Sequence, residues 1–559
     1  AGIMPSNCCL CVLTAAKPRA QVMSSLLRNT NLQKLSSREF DVCIVGAGIN
    51  GAVSAAALAA QGVDVALIDK GDFGGATSSQ SSNLAWGGIK YLETWEFPLV
   101  WKLCKSRNHL VRNYPSTVKE IRFLTTIQKG FRFPPLLVFM GALLYWVMGR
   151  FATRPPLYLS RRQLAKRESH INMERVQAGV EYSDCYLHDN DTRFVFNFVR
   201  SAMDFGAIAA NYVGSTGARF EAGMWTVTCR DEETGAPLQI RAKALVNACG
   251  PKVDSYNQLN QQTTQHHHLF SKGVHLIVDR ITEHRHIMAF FASDGRLFFV
   301  IPMGPKTCIG TTDTQVSSPE VGVSDADRHF ILDNANKLLK LATPLTAADI
   351  IAERCGVRPL AVAGGNQTAD WVALSRKHAI DADFATRQLS IFGGKLTDCL
   401  NVGNEVAELI EKMGIRRPYP GHKWYGEPDA SVRAEFLHQA RLMDLDSLTG
   451  ADAVENLSDR LWRRYGATAF EMLESIRENP RNAQRMIEHT EYLRCEIDHI
   501  RRREMITRLE DFLRRRSKIS LVVPHAKLLN ATGLTEACEA LFGVSAAAQL
   551  ADYVADHMT

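Results

Sequence analysis

The segment from Phe40 to Asp69 constrains the fold more than any other part of the chain. An apolar run over 40–45 precedes Gly46-Ala47-Gly48-Ile49-Asn50-Gly51, an alanine-rich stretch follows to about Gln61, and a second apolar run over 63–68 ends in Asp69. This order predicts a strand, a glycine turn, a helix and a second strand, which is the βαβ unit that binds dinucleotides. The sequence therefore predicts an α/β domain built around a nucleotide.

Each key position in this unit has a physical role. Gly46 permits the tight turn, Gly48 lets the backbone approach a pyrophosphate, and Gly51 allows the helix and strand to pack closely. The helix N-terminus offers unpaired N–H groups and a positive dipole end to the phosphates. Asp69, 18 residues beyond Gly51, can accept hydrogen bonds from ribose hydroxyls. The pattern alone does not distinguish FAD from NAD.

Further nucleotide-binding segments lie far downstream. Strand ends with glycines occur at 243–251 and at 391–397, which indicates an FAD domain interrupted by insertions that supply the substrate side. Runs at 296–302 and 306–311 predict an antiparallel sheet, and the pattern becomes helical from Pro418. With 559 residues the chain exceeds what one core supports. We therefore predict a leader (1–39), an oxidoreductase region (40–417) and a C-terminal α-helical domain (418–559). Within the oxidoreductase region, we assign 40–120, 195–265 and 350–417 to the FAD domain and 121–194 and 266–349 to the substrate domain.

The net charge of +6 is concentrated at the start of the chain. Residues 1–38 contain no Asp or Glu and five bases, Lys17, Arg19, Arg28, Lys34 and Arg38. A basic leader of this kind is typical of a mitochondrial transit peptide, and the alternative is a disordered tail. Cys8, Cys9 and Cys11 lie in the leader without a histidine or a second cysteine pair, so no metal site is predicted.

Two runs of arginine, 501–503 and 514–516, occur in the helical region. Acidic residues are interleaved with them at Glu496, Asp498, Glu504, Glu510 and Asp511. This pattern favours a solvated, salt-bridged face over a nucleic-acid site, so no nucleic-acid partner is predicted.

The segment 133–149 is uncharged and largely apolar, and Arg132 and Arg150 flank it. Seventeen residues are marginal for a bilayer span. Tyr145 and Trp146 beside basic borders favour an interfacial anchor. A buried core helix explains the same pattern equally well, so both interpretations stay open.

A series of motifs, taken in order, resembles the FAD-dependent glycerol-3-phosphate dehydrogenases from Phe40 to at least Lys518. The motifs are Gly71-Asp72-Phe73, Ala76-Thr77-Ser78-Ser79-Gln80-Ser81-Ser82-Asn83-Leu84, Gly87-Gly88-Ile89-Lys90-Tyr91-Leu92-Glu93, Glu181-Tyr182-Ser183-Asp184-Cys185, Gly310-Thr311-Thr312-Asp313, Cys355-Gly356-Val357-Arg358-Pro359-Leu360, Phe392-Gly393-Gly394-Lys395-Leu396-Thr397, Leu461-Trp462-Arg463-Arg464-Tyr465-Gly466 and Leu513-Arg514-Arg515-Arg516.

The resemblance implies a glutathione-reductase-like FAD-binding domain, α/β in class, with an inserted antiparallel substrate sheet and a helical C-terminal domain. It implies electron transfer from sn-glycerol 3-phosphate to FAD and on to membrane ubiquinone, with dihydroxyacetone phosphate as the product. A peripheral position on the mitochondrial inner membrane follows from this activity and the leader. A homodimer is compatible with the sequence, which does not determine the oligomeric state.

The resemblance also assigns residues. The catalytic positions fall on His275, Arg358 and Lys395, and Lys90 and Tyr91 join Arg358 and Lys395 in binding the substrate. The implied cofactor-binding residues are Gly46, Gly48, Gly51, Asp69, Thr77, Ser78, Ser82, Gly87, Gly88, Asn247, Gly250, Gly394, Leu396 and Thr397. A neutral histidine suits removal of a hydroxyl proton, and fixed cations suit a phosphate dianion.

Three positions depart from the family's pattern. Lys90 stands where arginine is usual, which keeps the charge but loses bidentate geometry. Asn83 and Trp86 stand where the family commonly has lysine and histidine. Since no histidine occupies position 86, a histidyl bond to the flavin there is excluded, and noncovalent FAD is expected. Two alternatives remain: an oxidase that uses oxygen, and a catalytically silent flavoprotein subunit.

Overall fold

The computed structural model describes residues 26–364, 378–451 and 453–557. The strands within these ranges are β1 (Glu39–Val45), β2 (Val65–Ile68), β3 (Leu84–Ala85), β4 (Val118–Gln128), β5 (Leu157–Ser160), β6 (Val176–Leu187), β7 (Ile208–Ala210), β8 (Val213–Glu221), β9 (Met224–Asp231), β10 (Pro237–Asn247), β11 (His266–Asp279), β12 (His286–Phe291), β13 (Leu297–Met303), β14 (Lys306–Gly310), β15 (Thr314–Val316), β16 (Ala352–Ala363), β17 (Ala379–Asp383) and β18 (Gln388–Phe392).

The helices of the same ranges are α1 (Leu26–Ser37), α2 (Ile49–Ala60), α3 (Phe97–Asn113), α4 (Pro135–Met148), α5 (Arg161–Arg167), α6 (Asp191–Asp204), α7 (Val253–Leu259), α8 (Asp325–Leu338), α9 (Cys399–Lys412), α10 (Ala430–Leu442), α11 (Leu457–Tyr465), α12 (Ala469–Glu478), α13 (Arg494–Arg503), α14 (Ile519–Val522), α15 (His525–Leu529), α16 (Leu534–Phe542) and α17 (Ala546–His557).

The first sheet is the predicted nucleotide-binding sheet. Its strand order is β17-β18-β10-β1-β2-β7, and the hairpin β8–β9 continues from β10. The pairs from β18 to β7 are parallel. The central strands β1 and β2 are almost entirely buried, as expected for parallel strands covered on both faces. The βαβ unit read from Phe40 to Asp69 is therefore present, and the predicted α/β fold is confirmed.

The second sheet has the order β15-β11-β14-β13-β12-β4-β6-β3, with β16 beside β11 and β5 beside β6. The runs at 296–302 and 306–311 form β13 and β14, which pair antiparallel as predicted. One strand differs from the predicted division: β16 lies in the segment assigned to the FAD domain, yet it pairs with β11 over its whole length. Pairing partners decide sheet membership, and the residues of a single strand do not reveal them.

Part of the predicted leader belongs to the folded body. Helix α1 packs against β7 and β10, and Arg28 is buried with its guanidinium 2.7 Å from Asp231 Oδ1. Removing a buried cation leaves its carboxylate uncompensated, which is strongly destabilising. The prediction of a leader extending to residue 39 is therefore wrong for 26–39. Residues 1–25, which include Cys8, Cys9 and Cys11, lie outside the described residues.

Helices α10 to α17 share a second hydrophobic core, which includes Phe436, Trp462 and Phe512. The arginines at 501–503 are exposed and pair with Asp498 and Glu471, as the interleaved acids predict. The run at 514–516 differs, because it lies in a π-helical turn, Asp511–Arg516. Arg516 there is buried and binds both carboxylate oxygens of Asp72. The prediction of a solvated face is wrong for this run, since it joins the helical domain to the nucleotide-binding domain.

Candidate functional site

The glycine turn between β1 and α2 has room for glycine alone at two positions. A Cβ at Gly51 would lie 1.8 Å from the carbonyl oxygen of Gly46. Gly46 has φ +98°, and a Cβ there would lie 2.5 Å from the oxygen of Ala248. Gly48 faces the Ser78 hydroxyl, which accepts the N–H of Ile49 at 3.0 Å. The N-terminus of α2 is thus packed closely against the end of β10 and against the loop that contains Ser78.

Asp69 lies beside this turn at the end of β2. Its carboxylate accepts the N–H of Ala47 at 2.7 Å and the N–H of Gly71 at 2.9 Å. Burial raises the pKa of the carboxyl to about 6. A carboxylate has further acceptor positions beyond these two, so Asp69 can also accept a ribose hydroxyl.

The loop from Thr77 to Gly88 crosses from the first sheet to the second. Thr77 donates its hydroxyl to the carbonyl of Val357 at 3.0 Å, and the N–H of Gly87 lies 3.2 Å from both oxygens of Asp184. Ser82 is half-buried in the same loop, and Gly88 has φ +82°.

The remaining predicted cofactor residues lie at the end of β10 or follow β10 and β18. Thr397 lies 3.4 Å from the carbonyl of Trp86, next to Leu396. Gly394, φ +108°, lies against the Asn50 side chain, and Gly250, φ +56°, opens a short turn after β10. The amide of Asn247 donates instead to Val253 and Asn257, so its side chain supports its own loop.

The positions of these segments in the fold fit an FAD-binding site. They gather at the carboxyl ends of β1, β10 and β18, where ligands bind in open α/β sheets. The Asn50 Oδ1 atom, at the start of α2, is buried without a hydrogen-bond partner in the described chain. An unsatisfied buried polar atom is costly, and a ligand at this edge would satisfy it.

His275 lies on β11 between Gly310 of β14 and Arg354 of β16. It is 1% exposed, and neither ring nitrogen has a hydrogen-bond partner among the described residues. Burial, followed by the charges of Arg354 and Arg358, lowers the pKa of His275 to about 3. The imidazole is therefore neutral near pH 7.

Arg358 lies on the same face of the second sheet. Strand alternation places residues two apart on one face, and Ser271, Gly273 and His275 oppose Arg358, Gly356 and Arg354. A Cβ at Gly273 would come within 2.5 Å of the Arg358 guanidinium, so glycine makes room for it. The guanidinium lies 3.5 Å from Asp313 Oδ1 and 3.5 Å from Thr311 Oγ1.

Arg354 was not singled out from the sequence. It is buried, contacts Asp191 at 2.6 Å, and donates to the carbonyl of Ser79 and to Asn83. It thereby joins the His275 face to the Ser78 loop. The signal was available, since two arginines four residues apart on one strand share a face.

Lys395 follows β18 and reaches the short turn Ile89–Leu92. Its ammonium donates to the Tyr91 hydroxyl at 2.8 Å and lies 4.2 Å from the centre of the same ring. Lys90, in the same turn as Tyr91, is half-buried. The rings of Trp86 and Tyr91 are 6.1 Å apart.

Two residues missed by sequence reasoning hold the turn that presents Lys395. His268 Nε2 accepts the N–H of Gly393 at 3.1 Å, and its other ring nitrogen lies 2.9 Å from Asp254. Asn50 donates to the carbonyl of Gly393 at 3.0 Å. In the sequence, only the two preceding histidines draw attention to His268. Asn50 could have been found more easily, because it lies within the glycine motif itself.

The predicted site residues therefore form two groups. His275 and Arg358 share one face of the second sheet, whereas Lys395 and Tyr91 form a pair at the end of the first sheet. The contact of His268 with Gly393 joins β11 to the residue following β18, so the two groups flank the junction of the sheets.

Comparisons with known proteins agree with this architecture. Residues 41–383 match the family "FAD dependent oxidoreductase", and residues 385–549 match the "C-terminal domain of alpha-glycerophosphate oxidase". A curated glycerol-3-phosphate dehydrogenase of Pseudomonas aeruginosa is 32% identical over 86% of this chain and 92% of its own length. A probable glycerol-3-phosphate dehydrogenase of Encephalitozoon cuniculi is 26% identical over 89% of this chain and 80% of its own length.

Solved structures show the same fold. Glycerol-3-phosphate dehydrogenase from Bacillus halodurans, complexed with FAD, superposes with a TM-score of 0.72 at 23% identity, over 96% of this chain and 97% of that chain. An FAD-bound L-alpha-glycerophosphate oxidase from Mycoplasma pneumoniae gives a TM-score of 0.51 at 16% identity, over 70% of this chain and 97% of that chain. The family match, the curated relatives and the site geometry lead to one conclusion: this chain belongs to the FAD-dependent glycerol-3-phosphate dehydrogenases.

Proposed function

We propose that this protein oxidises sn-glycerol 3-phosphate to dihydroxyacetone phosphate by hydride transfer to FAD and passes the electrons to membrane ubiquinone. The observation that carries the proposal is His275: a buried, neutral imidazole with both nitrogens unpartnered in the described chain, on the same sheet face as Arg358. A base next to a fixed cation suits an alcohol that carries a phosphate.

In this proposal His275 takes the proton of the substrate's secondary hydroxyl. A pKa of about 3 makes the free imidazole a weak base. Because Arg354 and Arg358 contribute to that low pKa, a bound phosphate dianion would offset their charge and raise the proton affinity of His275. Substrate binding would thus make His275 a stronger base.

The cations would hold the phosphate and stabilise the developing charge. Arg358 offers a planar fork of donors suited to phosphate, and Lys395 is aimed by its hydrogen bond to Tyr91. Lys90 would add a second ammonium beside them. These fixed charges stabilise the transition state most effectively where water is excluded.

Bound FAD would supply the acceptor for the hydride from carbon 2 of the substrate. The glycine turn, Asp69 and the loop 77–88 would hold its nucleotide and flavin portions. We propose noncovalent attachment, because Trp86 stands where a histidine would be required for the covalent bond.

Anaerobic addition of glycerol 3-phosphate to the purified yellow protein tests this function. We expect the oxidised flavin absorbance to bleach and dihydroxyacetone phosphate to appear in equal amount. An unbleached flavin at saturating substrate would contradict the proposal and favour a silent flavoprotein. Acid precipitation of the same sample should leave the flavin in the supernatant.

Oxygen is the second candidate acceptor, because residues 385–549 match a domain named for an oxidase. In air, an oxidase would form hydrogen peroxide in proportion to the glycerol 3-phosphate consumed. A quinone-linked enzyme would form little peroxide and would turn over rapidly only when a soluble quinone is added.

Helix α4 supports a membrane acceptor, since it has two unlike faces. Its inner face is core: Ala142 and Tyr145 are 2% exposed, and the Tyr145 hydroxyl donates to Asp184 at 2.6 Å. Its outer face exposes five large apolar side chains, Leu136, Leu137, Met140, Leu144 and Val147, at 43–65% of their surface. The inner face of α4 thus fits the interpretation of 133–149 as a core helix, and the outer face fits an interfacial anchor.

No helix in the described ranges is long and apolar enough to cross a membrane. We propose that the outer face of α4 lies in the membrane surface instead. A contiguous exposed apolar face of this kind marks an interaction site.

Replacing Leu137, Met140 and Leu144 by glutamine tests this contact. Each large apolar side chain removed from water contributes about 1.5–3 kcal/mol, so we expect partitioning onto phospholipid vesicles to fall about 10³-fold or more. Flavin content should stay unchanged, because these side chains face outward. The matched control replaces Leu259, Leu442 and Val544, which are 62–86% exposed elsewhere, by glutamine. Equal vesicle binding by the unmodified protein, the α4 variant and the control variant would show that α4 does not contact the membrane.

We further propose a mitochondrial location on the basis of the basic residues in 1–25. Import of the full chain into isolated mitochondria, compared with a chain in which Lys17 and Arg19 are replaced by glutamine, checks this. Uptake of neither chain would contradict the proposed location.

A further inference from the structure

A cleft between α3 and the end of α4 has an unusual charge distribution. It has a volume of about 240 Å³ and is lined by Trp101, Lys105, Asn108, His109, Arg112, Asn113, Met148 and Arg150. Its lining contains three permanent cations and a histidine but no carboxylate. The cleft is therefore a cationic cavity outside the candidate active site.

The helix positions explain how the cations converge. Trp101, Lys105 and Arg112, together with Asn108 and His109, are spaced along one face of α3 at helical intervals. Arg150 approaches from the end of α4, with its guanidinium 5.2 Å from the centre of the Trp101 ring. Within the described ranges, no carboxylate forms an ion pair with Lys105, Arg112 or Arg150.

His109 lies among these cations and is affected by their charge. Its pKa lies below the usual value because of burial, and next because of the charges of Lys423, Arg112 and Lys105. Cations that hinder protonation of a neighbour this way produce a positive potential in the cleft. An anion entering it would gain from several charges at once.

The cleft adjoins the exposed apolar face of α4. Met148 and Arg150, which line it, come at the end of the helix that carries Leu144 and Val147, and these two side chains are 43% and 49% exposed. An occupant that fits both surfaces has an anionic head and an apolar body. The cavity is smaller than a typical cofactor pocket of about 300–1,000 Å³, so it suits a headgroup better than a whole nucleotide.

We propose that this cleft binds the phosphate headgroup of an anionic phospholipid while the outer face of α4 enters the acyl region. The proposal rests on the membrane contact argued above and adds a lipid preference to it. Lys105, Arg112 and Arg150 would hold the phosphate, and Trp101 would lie at the interfacial depth that indoles favour.

The test compares vesicles of phosphatidylcholine alone with vesicles that contain about one third phosphatidylglycerol, using the full FAD-loaded protein. The variant replaces Lys105, Arg112 and Arg150 by glutamine. Each base near an anionic surface strengthens binding about fivefold, so we expect binding to the anionic vesicles to fall about 100-fold. Binding to phosphatidylcholine should be unchanged, as should flavin reduction by glycerol 3-phosphate.

A charge-matched control distinguishes headgroup binding in the cleft from general electrostatic attraction to the vesicle. It replaces Lys340, Lys412 and Arg481, which are exposed elsewhere on the surface, by glutamine. Equal losses in the two triple variants would show diffuse attraction and overturn the proposal, as would an unchanged preference for phosphatidylglycerol. Calorimetric binding of inorganic phosphate without vesicles, lost in the cleft variant, would assign the cleft to a free anion and also overturn it. Failure of the α4 contact itself would appear differently, as absent binding to both vesicle types.

Discussion

Replacing His275 by asparagine should slow reduction of the flavin by glycerol 3-phosphate about 10²- to 10⁴-fold, the usual contribution of a general base. Asparagine is polar and of similar size but cannot take the hydroxyl proton. FAD content should change little, because His275 lies on the second sheet and the glycine turn lies on the first. Rapid anaerobic mixing over a range of substrate concentrations measures the limiting rate and the apparent affinity separately.

A matched control for this variant is His499→Asn. His499 is also buried, and its ring nitrogens also have no hydrogen-bond partner in the described chain, but it lies in the helical domain. A reduction rate equally low in both variants would attribute the loss to damage at any buried histidine. A normal rate in His275→Asn would remove this residue from the mechanism.

The second large effect is expected at Gly51. A Cβ at this position would lie 1.8 Å from the Gly46 carbonyl oxygen, which belongs to the backbone and cannot rotate away. Helix α2 would have to move from the turn that its N-terminus completes. Overpacking of this kind costs about 1–3 kcal/mol, so Gly51→Ala should weaken FAD binding about 10- to 100-fold. Fluorescence titration of the FAD-depleted protein with FAD measures the affinity.

The control for backbone crowding is Gly141→Ala on α4. A Cβ there would meet no atom within 4 Å, and alanine is the better helix former. We expect unchanged FAD affinity and a melting temperature equal to or above that of the original protein. Wild-type affinity in Gly51→Ala would show that the turn is not packed as described.

Some parts of the candidate site could be predicted from local sequence, and others could not. The glycine turn and Asp69 could be predicted because the backbone of a tight turn restricts which residues fit, and the restriction is local. Lys395 and Tyr91 are 304 residues apart, and no periodicity connects them. His275 and Arg358 became neighbours through the pairing of β11 with β16, and only the motif resemblance had indicated both.

Sequence alone determined the βαβ unit, the alternation of apolar segments and the change to helices after Pro418, because each depends on spacing within a few turns or strands. Only the tertiary structure decided that α1 belongs to the folded body, that Arg516 is buried against Asp72, and that α4 has one core face and one exposed face. Each of these depends on which distant surface a side chain meets. A charged or apolar residue looks the same in the sequence whether that surface is water or protein, and the free energy of burial or pairing distinguishes the two only once the chain has folded.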